Sequence, residues 1–111
     1  MINKIVGSFD EAVADMTDGS TVLIAGFGGP AECPSYLIAA VARKGVKGLT
    51  IVGNTGGWGE QLLDVLRTRM AVILRMPTDW YDPGLLVERG QVKKGILSFP
   101  AAPARILTPF E

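Results

Sequence analysis

Between Asp18 and Pro34 the chain carries an Asp-Gly pair, an apolar run, three glycines within four residues (Gly26, Gly28, Gly29) and then a proline. Asp18-Gly19 is a turn signal. Residues 21–25, Thr-Val-Leu-Ile-Ala, are short, apolar and rich in β-branched side chains, the pattern of a strand covered on both faces. A backbone with so many glycines turns sharply and lets a ligand approach, because no Cβ stands in the way. Pro34 suits a first helical position, where its missing N–H costs nothing. Turn, strand, glycine loop and helix start in that order constrain the chain to an α/β layout. In an open α/β sheet, the carboxyl end of a strand is where ligands bind.

The next segments extend this unit. Residues 34–44 read as a helix with Leu37, Ile38, Val41 and Ala42 at helical spacing and Gly45 as its C-terminal cap. Residues 49–52 read as a second core strand, ending in a loop from Gly53 through Asn54, Thr55, Gly56, Gly57 and Trp58 to Gly59. Strand, helix, strand makes a βαβ unit, so the two strands are expected parallel with a right-handed crossover. The two glycine-rich loops then fall at one edge of the sheet. There Asn54 either presents its amide to a ligand or holds a turn in left-handed conformation.

Elsewhere the pattern is plainer. Residues 2–6 read as a short strand or a docking arm. Ser8 and Glu11 form a capping-box pair opening a helix to about residue 16, with Ala12, Val13 and Met16 on one face. Residues 60–69 are helix-like, residues 70–76 strand-like and residues 76–79 a turn. Asp82 before Pro83 is an N-cap and first-turn proline, opening a short helix to about residue 89 that Gly90 ends. Residues 92–99 are the third core strand. Prolines at 100, 103 and 109 make the remainder extended.

With 111 residues the chain is one small domain, burying roughly 65% of its unfolded surface. The 11 basic and 11 acidic residues cancel, which gives no electrostatic case for nucleic acid or an anionic membrane as partner. One cysteine rules out an internal disulfide, and no run reaches transmembrane length; a cytoplasmic protein is expected. The absence of histidine removes the commonest general base and nitrogen ligand, leaving Cys33 without a Cys-His partner and a zinc site without ligands. Cys33, Trp58 and Trp80 read as packing residues, and Lys93-Lys94 as a solvated strand start.

Gly26-Phe27-Gly28-Gly29-Pro30-Ala31 fits a G-x-G-x-x-A dinucleotide fingerprint. That mechanism also needs a carboxylate at the end of the next strand, and Ile51-Val52-Gly53-Asn54 has none. A second pattern is more specific. Asp18-Gly19, two residues, an apolar triplet, a small residue and Gly26-Phe27 resemble the N-terminal signature of the alpha subunits of family I CoA-transferases. Residues 45–52 look like the same family, Gly53-Asn54-Thr55-Gly56-Gly57 is similar to its Ser-Asn-Asn-Ala-Gly loop, and Leu85-Leu86, Gln91 to Lys94 and Ser98-Phe99-Pro100 resemble its next block, most like 3-oxoacid and 3-oxoadipate members.

The resemblance implies a Rossmann-like, open, mainly parallel sheet with flanking helices, and a chain that is the N-terminal part of an alpha subunit with an unmatched insert at about residues 60–81. It implies a transferase that moves coenzyme A, a substrate rather than a bound cofactor, from an acyl-CoA to a carboxylic acid. The nucleophile, a glutamate forming a glutamyl-CoA intermediate, is expected on a beta-type partner subunit, so no catalytic residue and no metal ligand is expected here. Gly26, Phe27, Gly28, Gly29, Asn54, Thr55 and Gly56 are the expected substrate and CoA contacts. A truncated assembly or binding subunit without turnover is the alternative, and a dinucleotide-binding domain a further one.

Overall fold

Three parallel strands in the order β1-β2-β3 form the sheet: β1 is Thr21–Ile24, β2 is Leu49–Thr55 and β3 is Val92–Phe99. The structure, a computed structural model, describes residues 3–26, 33–57 and 81–99. The readings of residues 60–69, 70–76 and 76–79 as helix, strand and turn lie outside them, as do Trp58, Trp80 and the residues after Phe99. The three helices are α1 (Phe9–Ala12), α2 (Ser35–Lys44) and α3 (Gly84–Glu88). The expected open α/β architecture is thus the one observed. Among the described residues no helix is long and apolar enough to cross a membrane.

The core lies between one face of the sheet and the helices. Leu49 and Ile51 of β2 pack with Ile38, Val41 and Ala42 of α2 and with Leu85, Leu86 and Val87 of α3. Gln91, 3% exposed, ties the layers: its Nε2 donates to the carbonyls of Val41, at 3.2 Å, and Val46, at 2.9 Å. Arg43 of α2 reaches Asp10 of α1 at 3.0 Å.

Side chains alternate across a strand, and the register sorts them into rows. Leu23 pairs with Val52 and Val52 with Ile96; Thr21 pairs with Thr50 and Thr50 with Lys94. These residues occupy the face away from the helices. Leu23 is 78% and Ile96 50% exposed. The expectation that β1 is covered on both faces is therefore corrected: only Val22 and Ile24 turn inward. Right-handed crossovers between strands in the order 1-2-3 deliver α2 and α3 to the same face, which is why the second face receives neither.

Several boundaries also differ from expectation. Ser8 does cap α1, its Oγ accepting from the Glu11 N–H at 3.1 Å, while Glu11 Oε2 accepts from the Gly7 N–H at 2.8 Å. Yet α1 stops at Ala12 instead of residue 16. The Ala14 N–H turns to the Glu11 carbonyl, and the Ala14 carbonyl accepts from Lys44 Nζ at 2.8 Å, so tertiary bonds replace helix propagation. Ala12 is exposed, Val13 buried and Met16 packed against the core. Pro34 sits one position before the helix, with ψ 71 rather than a helical value. In the α2 stripe Leu37 is exposed and Ala40 is buried in its stead. Residues 3–6 join no strand. Gly45 and Gly90 end their helices in left-handed backbone as expected, and residues 92–99 form β3 as read.

The carboxyl edge of the sheet as candidate functional site

Strand β2 runs three residues farther than expected, through Gly53, Asn54 and Thr55. This corrects the reading of Asn54 as a turn residue. It occupies an extended ladder position, half-buried, at the carboxyl end of the central strand. Gly53 pairs with Ile24, and a Cβ on Gly53 would stand 2.9 Å from the Ile24 carbonyl oxygen. The end of β1 and the end of β2 therefore lie together, as the βαβ reading requires. Gly26 follows β1 by two residues with φ 124, a value that side chains on L-residues rarely tolerate. Phe27, Gly28 and Gly29 lie outside the described residues.

Thr55 faces the helix side and holds the exit of β2: its Oγ1 accepts from the Gly57 N–H at 3.2 Å. Gly56 is buried against Leu97, whose Cδ1 would stand 3.2 Å from a Cβ there. Gly57 has φ 82 and meets the start of α3. A Cβ on Gly57 would lie 2.5 Å from the Gly84 nitrogen and 2.6 Å from Asp82 Oδ1. Asp82, 1% exposed, accepts from the Gly84 N–H at 3.0 Å, the capping role its sequence position predicts. The helix it caps begins at Gly84, one position later than a first-turn Pro83 would set it. Ser35, at the start of α2, donates from Oγ to the Tyr81 carbonyl at 2.8 Å. The starts of α2 and α3 are thereby joined beside the strand ends. Between them Ile24, Ile51, Gly53, Thr55, Pro83 and Leu97 line a shallow apolar indentation.

Asn54 belongs to the other face. Register places it beside Ser98, because Gly53 pairs with Leu97 and Thr55 with Phe99. Ser98 is exposed. Sequence reasoning carried Ser98 only as part of a family-like segment and missed this juxtaposition. The alternation of Ile96 and Ser98 signals a shared face, but their register with β2 depends on a bulge at Lys93: Leu49 pairs with Val92 and Thr50 already with Lys94. Lys93 and Lys94 are exposed. Lys94 lies four residues from Ser98, about 13 Å along the strand, so it belongs to the opposite end of the sheet. Cys33 is buried in the core, in keeping with a packing thiol.

The sequence that builds this edge is related to that of known proteins. A model of the family described as Coenzyme A transferase matches residues 6–111. The chain is 31% identical over 98 residues to the A-type subunit of the succinyl-CoA:3-ketoacid coenzyme A transferase of Helicobacter pylori, covering 88% of this chain and 33% of that protein. It is 35% identical over 100 residues to the A-type subunit of the 3-oxoadipate CoA-transferase of Acinetobacter baylyi, covering 90% and 35%. It is 47% identical over 60 residues to the corresponding 3-oxoadipate CoA-transferase chain of Pseudomonas putida, covering 54% and 26%. The chain spans about one third of the length of the first and second of these curated relatives. With the match running from the first helix through the last strand and beyond, the chain belongs to the Coenzyme A transferase family.

Proposed function

We propose that the chain forms part of the A-type subunit of a CoA-transferase that works on an acyl-CoA and a carboxylic acid of the 3-oxo class. The observation that carries this is the family match over residues 6–111. The relatives' names specify succinyl-CoA:3-ketoacid and 3-oxoadipate transferases and designate each protein as the A-type member of a set of subunits; they supply the substrate class and a B-type partner. In the proposed reaction a partner glutamate carboxylate attacks the acyl thioester carbonyl and CoA leaves as the thiolate, giving an acyl-glutamyl anhydride. The thiolate then attacks the glutamyl carbonyl of that anhydride, forming a glutamyl-CoA thioester and freeing the first acid. The second acid takes CoA by the same steps in reverse.

This chain's part is to bind and orient. Gly26, with Phe27, Gly28 and Gly29 after it, opens a backbone path at the end of β1, and Asn54, Thr55 and Gly56 form the neighbouring strand end. An amide N–H of Asn54 aimed at a developing oxyanion or a substrate carboxylate is the kind of donor whose removal costs roughly 10²–10³ in kcat. Thr55 acts through the turn it holds, since its Oγ1 is engaged by the Gly57 N–H.

The test is a pull-down of the tagged chain from its own host, with mass spectrometry of the partners and a CoA-exchange assay on the eluate. Co-elution of a B-type subunit with exchange supports the reading. A complex without exchange assigns the chain an assembly role instead. Nicotinamide cofactor binding by the chain alone would restore the dinucleotide reading.

A further inference from the structure

We propose that Ser98 is a second substrate contact, acting beside Asn54 to hold a carboxylate of the acid substrate. The proposal rests on the CoA-transferase reading above and names a residue and a ligand group within it.

The argument starts from register. Strands β2 and β3 keep one pairing from Thr50–Lys94 onward, which places residue 54 opposite residue 98 at the carboxyl end. Neighbouring strands run about 4.8 Å apart, so the two side chains rise from adjacent positions. Both belong to the face away from α2 and α3, since Ile51 of β2 is buried toward the helices while Ile96 of β3 is exposed. The rows behind them on this face are apolar, Leu23–Val52–Ile96, and then Thr21–Thr50–Lys94. Asn54 and Ser98 are therefore the polar end of an otherwise apolar stripe.

The pair is also chemically available. Among the described residues no side chain or backbone group is hydrogen-bonded to either side chain. An asparagine amide and a serine hydroxyl each offer an N–H or O–H donor without a positive charge. Two such donors on adjacent strands converge on one group with two acceptor oxygens, which a carboxylate supplies and a thioester does not. An apolar row leading to two donors also suits the rest of such an acid: alkyl carbons against Val52 and Ile96, carboxylate at the strand ends.

The experiment uses the chain with its B-type partner, comparing wild type with Ser98→Ala, Ser98→Thr and Asn54→Ala. Exchange is followed while the acid and the acyl-CoA are varied separately. Loss of one hydrogen bond to a charged group is expected to raise KM for the acid roughly tenfold in Ser98→Ala, with KM for acyl-CoA in the forward direction within about twofold. Ser98→Thr, which keeps the hydroxyl, is expected to restore it. A merely structural role would instead lower the melting temperature and move both KM values together. An unchanged KM for the acid in Ser98→Ala, in a wild-type complex that turns over, overturns the proposal and leaves the transferase reading standing. A wild-type complex that shows no exchange overturns both.

Discussion

Gly57 and Asp82 interlock at the carboxyl edge of the sheet: a Cβ on Gly57 would stand 2.6 Å from Asp82 Oδ1, and the same Asp82 oxygen accepts from the Gly84 N–H. The glycine is required twice over, by that contact and by its φ of 82. In Gly57→Ala the left-handed backbone alone costs about 1–2 kcal/mol, and the Gly84 nitrogen, at 2.5 Å from the new atom, belongs to backbone that cannot rotate away. The expected loss is at least about 2 kcal/mol of unfolding free energy, read from urea denaturation. A loss below about 0.5 kcal/mol, the scale of an ordinary surface change, would show that β2 and α3 do not meet in this way.

The two faces of the sheet predict opposite sensitivities. Ile51 is 1% exposed and sits against both helices, whereas Leu23, one strand away, is 78% exposed. Ile51→Ala is expected to cost about 2–5 kcal/mol as a cavity in the core. Leu23→Ala is expected to cost less than about 0.5 kcal/mol. Chemical denaturation of the two variants side by side decides the matter. Equal losses would mean that the Leu23 face is covered in the folded chain.

How far these relationships could be read beforehand differs by residue. The parallel pairing of β1 and β2 was legible because a helical stripe between two β-branched runs leaves few alternatives. Asp82 was legible as a cap because an acidic residue before a proline has a local physical meaning. The extension of β2 through Asn54 was not, since Gly53, Asn54 and Thr55 are turn formers by propensity, and ladder pairing with β3 overrides that preference. The bare face of β1 was hidden for a related reason: a run of Val, Leu and Ile looks the same whether one face or two are covered. The Asn54–Ser98 juxtaposition depends on the bulge at Lys93, and no local pattern announces a one-residue slip.

The ion pair between Arg43 and Asp10 bridges α2 and α1 over 33 residues of sequence, with the Arg43 side chain 55% and the Asp10 side chain 67% exposed. Solvent screens a pair so placed, and the median exposed pair contributes about 0–1 kcal/mol. Asp10→Asn is therefore expected to lower the melting temperature only slightly at low ionic strength. At 1 M salt, where the screening length falls to about 3 Å, the difference should vanish. A deficit that persists at high salt would mean that Asp10 acts through packing or hydrogen bonding rather than charge.

Gln91 makes the sharpest prediction for pH. Its Nε2 donates to two carbonyls, those of Val41 and Val46, while Oε1 finds no partner among the described residues. Gln91→Glu keeps the shape and replaces the donor by an oxygen. An ionised carboxylate there would be buried facing two carbonyl oxygens, so both desolvation and repulsion favour the protonated form, which still donates one hydrogen bond. The folded-state pKa of the new carboxyl is thereby raised above its unfolded value of about 4.3. The folded chain then binds the proton more tightly than the unfolded chain does, and stability falls as pH rises from the unfolded pKa toward the folded one. At pH 8 the variant is expected to be destabilised by about 3 kcal/mol or more, beyond the ordinary cost of an unmet neutral hydrogen bond. Near pH 4 the deficit should shrink to about 1 kcal/mol, the value of a single lost bond. Melting curves of both proteins at the two pH values test this, and a deficit independent of pH would remove Gln91 from its place between the two carbonyls.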